Sequence, residues 1–481
     1  MKNSFLSYKN IKWLCVAALV ALLIPLLWLS FYSAPAADDF SFGAPAHRAW
    51  VESGSVLAAV SAAAGKVAET YFGWQGTFAA IFLMAIQPAV FSEGLYWLTG
   101  FIMLGALVLG AFVFCRAVFA ELLGLDRHFA DIVAALVCII STQLMPSPVQ
   151  AFYWFNGSVY YVFFHGLLLL ALALGIRLVK KGGRGRLALL CVLCVIIGGG
   201  NYVTALTACI VWFFAEALLY ITKGNWKKLL LPGLLLALSF GLSILAPGNA
   251  VRQESQWFAS GSPVEAVLLS FKNCIAFSGG WLSLPVLGGL CLLGVLALGC
   301  VGKTGFGFRF PGLVTAFSYC LVSAMFCPPI YAMGNIGEER ILNIIYFSWL
   351  LALAVNLVYW LGWLCRLRAG AKQGLRPMAL GLACLVFAAG FALPVLSGRS
   401  YTSLLALSSL RSGEAQAWHD SALRRFAVLN DESISAARIE PYPSQPYLLF
   451  YSDIVDDPEG WENQDMADFY GKDFVTFNTI N

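Results

Sequence analysis

The sequence predicts an all-α polytopic membrane protein of about eleven transmembrane helices, closed by a small extracytoplasmic α/β unit at the C-terminus. Three observations lead to this reading. The 481 residues are 60% hydrophobic and only 12% charged, against roughly 25% charged in a typical soluble domain. Apolar runs long enough to cross a ~30 Å hydrocarbon layer recur along the chain. Half of the 26 Asp and Glu, by contrast, lie from Ser397 onward, beside only six Lys and Arg. The chain therefore divides into a membrane domain, 1–396, and an acidic, water-loving domain, 397–481.

Taken in order, the candidate spans lie near 12–32, 95–118, 129–145, 158–179, 187–201, 203–222, 229–246, 282–302, 311–327, 341–364 and 377–396. The first follows Lys2, Lys9 and Lys12 and exceeds the ~7–15-residue core of a signal peptide, so it reads as an uncleaved span. The Ser33–Ala36 stretch keeps cleavage open as the alternative. Gly198-Gly199-Gly200-Asn201 interrupts the fifth run. Most of the 13 cysteines sit in or beside apolar runs, where they read as packing residues.

Positive charge orients the spans. With the N-terminus in the cytoplasm, nineteen Lys and Arg face inward, among them Arg177, Lys180, Lys181, Lys227, Lys228, Arg366, Arg368 and Lys372. Only Arg48, Lys66, Arg252, Lys272 and Arg340 fall in short outer loops. The outer face then carries 33–94, 246–281, 326–340 and the C-terminal domain. No basic groove suited to nucleic acid is visible, and no Gly-Lys-Ser/Thr phosphate loop appears.

The first outer loop opens on Ala37-Asp38-Asp39-Phe40. Adjacent carboxylates at a membrane surface fit a general base or a divalent-cation site, Mg or Mn by preference for oxygen ligands. They fit equally a solvated helix start. A helix-compatible stretch, Ala44 to Ala68, leads to Glu69, Tyr71, Phe72, Trp74, Gln75 and Gly76. The apolar segment Thr77 to Phe91 reads as lying along or dipping into the interface. In the tail, Leu404 to Leu429 reads as amphipathic helix. Ala437 to Pro441, Tyr447 to Ile454 and Phe474 to Phe477 read as strands, with a short helix around Gln464 to Tyr470.

These motifs resemble the GT-C superfamily of membrane glycosyltransferases, nearest to a bacterial group akin to the O-antigen glucosyltransferases. The likeness rests on a first span ending in Asp38-Asp39-Phe40, a helical outer loop and the Trp74 to Gly76 motif. Later motifs extend it: Trp154-Phe155-Asn156-Gly157 with Tyr160-Tyr161, Ala246-Pro247-Gly248-Asn249 with Arg252, and the tail from Asp453 through Trp461, Asn463, Tyr470 and Gly471. It spans nearly the whole chain, although each motif is short. In one respect the chain departs: Thr77 follows Gly76, where the group usually carries arginine.

The resemblance implies transfer of a sugar, with inversion, from a polyprenyl-phosphate donor to a glycan or lipid-linked acceptor. It implies a site outside the cytoplasmic membrane of a bacterium, among membrane lipids. Asp38 or Asp39 would be the catalytic base or hold the metal. Arg252 and Arg340 are the candidates for the phosphate, against a bland role as headgroup anchors, or for Arg340 as partner of Glu338 and Glu339. Glu69, Trp74, Gln75, Asn156, Tyr160, Tyr161, Asn201 and Asn249 would line the substrate cavity, against local capping for the asparagines. His165, an ionisable group inside a span, is a further candidate. The scattered histidines argue against zinc. A transporter or flippase for a lipid-linked saccharide is the rival, although no internal repeat is apparent.

Overall fold

The computed structural model describes residues 7–255, 262–367 and 376–478. Lys2, Arg368 and Lys372, counted above as inner charges, lie outside the described residues. The chain runs α1 (Tyr8–Ser30), α2 (Asp38–Ser53), α3 (Val56–Gly73), α4 (Phe78–Ala85), α5 (Leu98–Cys115), α6 (Arg127–Leu144), α7 (Phe155–Ser158) and α8 (Phe164–Lys181). It continues through α9 (Arg184–Gly198), α10 (Tyr202–Ile221), α11 (Lys227–Ile244), α12 (Pro247–Ser255), α13 (Pro263–Trp281), α14 (Leu284–Leu298), α15 (Pro311–Ala324), α16 (Cys327–Met333), α17 (Glu339–Leu367) and α18 (Pro377–Leu396). The C-terminal part holds α19 (Thr402–Ser412), α20 (Glu414–Leu429), β1 (Ala436–Ile439), α21 (Trp461–Tyr470) and β2 (Phe474–Phe477).

Among the described residues, 10 helical stretches are long and apolar enough to cross a membrane. They correspond to the expected spans except one. The expected 187–201 span is α9, whose 15 residues reach only about 22 Å at 1.5 Å per residue. Its end is set by close packing: a Cβ on Gly198 would lie 2.6 Å from Ser239 Cβ, and one on Gly199 would lie 2.4 Å from the Phe78 ring. Asn201 then caps α10, its Oδ1 accepting from Thr204 N at 2.8 Å.

A second departure concerns 246–281, expected as an outer segment. It contains the 19-residue α13, which packs lengthwise on α15. Phe271 meets Tyr319 and, six residues on, Phe277 meets Phe326, both with ring centroids 5.5 Å apart, so the two helices run parallel. Buried Ala266, Ser270 and Cys274 recur every four residues and form the small-residue stripe that allows the approach. Glu265 and Lys272 lower the segment's hydropathy, which hid this helix from a search for apolar runs.

At the centre lies α6, buried without interruption from Phe129 to Gln143, as befits a helix apolar on nearly all sides. The expected Ala44 to Ala68 helix is two helices, broken where Gly54 takes φ 62° and ends α2. The Thr77 to Phe91 segment becomes the short α4, with backbone N–H groups of Ala79 and Ala80 donating to Gly199 O.

The C-terminal residues fold against both the bundle and α2. Ser403 Oγ donates to Leu22 O at 2.6 Å and Ser403 N to Gln143 Oε1 at 3.1 Å, seating α19 on α1 and α6. On α2, His47 stacks on Phe469 of α21 at 4.0 Å. β1 and β2 pair in parallel, Ala437 opposite Val475. The expected strand at Tyr447 to Ile454 is absent: Leu449 N and Phe450 N both turn back to Pro446 O. Consecutive Leu448 and Leu449 are both buried, which strand alternation does not permit on a one-sided sheet.

Candidate functional site

The acidic pair sits in the first turn of α2, where negative charge is favoured by the helix dipole. The residue before it, Ala37, holds φ 49° and ψ −126°. This is a conformation that L side chains rarely adopt and that carries strain of about 1–3 kcal/mol. The kink sends the two carboxylates to different places.

Asp39 is fully buried. Its Oδ2 accepts from Tyr96 OH at 2.5 Å and Ala36 N at 3.1 Å, and its Oδ1 from Asn156 N at 3.0 Å. It thereby ties the end of the first span to the segment before α5 and to α7. Burial pushes its pKa up to about 7 against these hydrogen bonds, which favour the ionised form.

Asp38 is half-buried, and among the described residues it has no hydrogen-bond partner. Burial raises its pKa, while the charges of Arg340 and then Arg252 pull it back.

Each arginine is braced in the same way, by a tryptophan face and a glutamine carbonyl. Arg252 lies 5.2 Å over the Trp74 ring and donates to Gln75 Oε1 at 2.6 Å. Arg340 lies 5.3 Å over the Trp154 ring and donates to Gln150 Oε1 at 3.3 Å and to Tyr451 OH at 3.1 Å. Both guanidinium groups are half-buried, and neither forms an ion pair among the described residues. Tyr160 and Tyr161 feel the charge of both arginines, and Tyr160 OH meets Thr77 Oγ1 at 3.2 Å. Two guanidinium groups without an ion pair therefore face Asp38, an arrangement suited to a bound anion.

The Arg252 side is positioned by glycines. A Cβ on Gly248 would lie 2.5 Å from Trp74 N, and one on Gly76 would lie 2.0 Å from Ser243 O. Asn249 fastens the junction: its Oδ1 accepts from Gly76 N at 3.2 Å and Tyr202 OH at 2.6 Å, and its Nδ2 donates to Ser243 O and Ile244 O.

The structure thus brings together Asp38, Trp74, Gln75, Tyr160, Tyr161, Arg252 and Arg340. Asn201 and Asn249 are spent on backbone caps; Asn201 Nδ2 donates to Tyr160 O at 2.6 Å. Asn156 binds Asp39 through its backbone, and its side-chain amide is buried without a partner. His165 lies a turn deeper than Tyr161, both ring nitrogens unpartnered, its ring edge-on to Phe347 at 5.2 Å.

The other expected carboxylates are exposed. Glu69 is exposed and paired with Lys66 at 2.8 Å, and no interaction links it to Asp38 or the arginines. Glu338 and Glu339 are exposed, and neither forms an ion pair with Arg340, whose side chain turns inward to Gln150 and Tyr451, although the Glu338 charge still reaches both Arg340 and Tyr451.

Sequence reasoning missed Gln150 and Tyr451, and it quoted Trp154 only as part of a motif. It also missed Asp465, half-buried on α21. Its carboxylate accepts a hydrogen bond from Ser41; burial and then the Asp38 charge push its pKa up to about 6. The one available signal was the aromatic run ending in Tyr451 within an acidic tail.

Among the described residues no group of three or more His, Cys, Asp or Glu could hold a metal ion. Of the acidic pair, Asp39 already accepts three hydrogen bonds, which leaves Asp38 as the carboxylate with oxygens free for a ligand.

No family model matches the chain, and neither does any curated protein or solved structure.

Proposed function

We propose that the protein is a GT-C-type glycosyltransferase that moves a hexosyl or pentosyl group from a polyprenyl-phosphate donor to a glycan or lipid-linked acceptor. The observation that carries this reading is the approach of two guanidinium groups without an ion pair, Arg252 and Arg340, to Asp38, a carboxylate with no hydrogen-bond partner among the described residues. Asp38 takes the proton of the acceptor hydroxyl as its oxygen attacks the anomeric carbon. The anomeric C–O bond to phosphate breaks, and its electron pair leaves on the phosphate oxygen. That developing charge lies where Arg252 and Arg340 can meet it. A single displacement inverts the anomeric centre.

In this reading the Asp38 end of the bundle and the C-terminal domain face outward from a bacterial cytoplasmic membrane. The positive-inside bias supports that orientation. Asp39 is a positioning residue.

The test uses membranes containing the full chain or its Asp38→Asn variant, supplied with labelled polyprenyl-phosphate hexoses or pentoses. Label is expected in envelope glycan or lipid-linked saccharide only with intact Asp38. Undiminished transfer by Asp38→Asn would remove the assignment.

One observation favours the transport alternative: His165 is a buried ionisable group without a partner inside a span. Proteoliposomes in which labelled lipid-linked saccharide crosses the bilayer and no sugar is transferred would decide for it.

A further inference from the structure

Between β1 and α21 the chain has no helix or strand, yet it is held firmly at several points. Tyr442 stacks on Trp418 at 3.8 Å and lies 3.9 Å beneath the Arg425 guanidinium. Arg425, itself buried, grips Asp453 with both terminal nitrogens. Asn463 clasps Val455 through its N and O, at 2.9 and 3.0 Å. Tyr451 lies inside these clamps.

The Tyr451 ring stacks on Trp154 at 3.7 Å, with planes 10° apart. Its hydroxyl accepts from Arg340 at 3.1 Å, and it feels the charge of Asp38. Trp154 in turn donates from Nε1 to Ala36 O at 3.0 Å, two residues before Asp38. One stack thus joins the C-terminal strap, the second arginine and the strained turn that carries the acidic pair.

We infer that Tyr451 is a working member of the anion site: it fixes the Arg340 guanidinium and donates its own O–H to an oxygen of the bound phosphate. A phenol that accepts from Arg340 keeps its proton free to donate, and a phosphate oxygen held on that guanidinium is an anionic acceptor within its reach. The C-terminal domain therefore completes the site rather than merely covering it. This rests on the phosphate site proposed above.

The experiment measures binding of farnesyl phosphate, with farnesol as the uncharged control, to the full chain in detergent. Tyr451→Phe keeps the stack on Trp154, so its thermal unfolding midpoint is expected to match the parent. Its affinity for farnesyl phosphate should fall about tenfold or more, as for a hydrogen bond to a charged group. In an Arg340→Lys background the same substitution should cost less, because the part that acts through the guanidinium is already gone, whereas in Arg252→Lys it should cost the full factor.

Binding by Tyr451→Phe equal to the parent overturns the inference and leaves the phosphate site standing. So does an equal loss in both lysine backgrounds. Failure of the parent chain itself to prefer farnesyl phosphate over farnesol overturns both.

Discussion

Two neighbouring aspartates illustrate how little identity says about role. Asp39 accepts three hydrogen bonds in full burial, and Asp38 accepts none while facing two arginines. Asp38→Asn is expected to fold with an unchanged unfolding midpoint and to lose transfer by about 10²–10⁴-fold, the range for a general base.

Asp39→Leu should instead destabilise the protein by several kcal/mol, since three buried donors each lose a partner at roughly 1–3 kcal/mol. Thermal unfolding in detergent checks this.

The two also differ in how pH reads them out. On the proposed reading Asp38 must be ionised to accept a proton, so transfer should fall on acidification through a pKa above the ordinary value of about 4. Arg340→Gln removes a charge that lowers that pKa, so its acidic limb should move to higher pH. Asp39 holds its proton more tightly folded than unfolded. Its contribution to stability is full below about pH 4 and is lost as pH rises through about 7. In Asp39→Asn that part of the pH dependence should vanish from unfolding midpoints measured across this window.

At the scale of elements, the site depends on backbones approaching more closely than a side chain allows. α12 lies so near the Trp74–Gly76 turn that a Cβ on Gly248 would meet backbone nitrogen atoms at 2.5 and 2.8 Å. Backbone does not yield as the end of a flexible side chain does. Gly248→Ala is expected to displace α12 and, with it, Arg252 from Gln75. Farnesyl phosphate affinity should fall by an amount similar to that in Arg252→Gln, although position 248 touches no ligand.

Across the whole molecule, the C-terminal domain is bound to the bundle at two ends, by Ser403 on α1 and α6 and by Phe469 against His47 of α2. Its own order hangs on Arg425 and Asp453, a bidentate pair with Arg425 almost fully buried. Arg425→Ala leaves the half-buried Asp453 carboxylate without its cation, a loss of about 3 kcal/mol, the low end for breaking a buried pair. Limited proteolysis should then cut the strap around Tyr451 while the helical bundle stays intact. If the domain completes the site, the same variant loses phosphate binding together with the strap.

Spans and the split into apolar and acidic parts were legible in the residues themselves. Each rests on local composition: twenty apolar residues in a row satisfy a bilayer whatever surrounds them. Partnership was not legible. Nothing near Asp39 in the chain announces Tyr96 or Asn156, and nothing near Arg340 announces Tyr451, 111 residues away. Glu69, beside the Trp74 motif, drew attention by proximity in sequence and pairs with Lys66 instead, and Glu338 and Glu339, beside Arg340 in sequence, form no ion pair with it. Burial and hydrogen bonding depend on which helix faces which, so only the tertiary structure could decide which carboxylate is engaged and which arginine is left unneutralised.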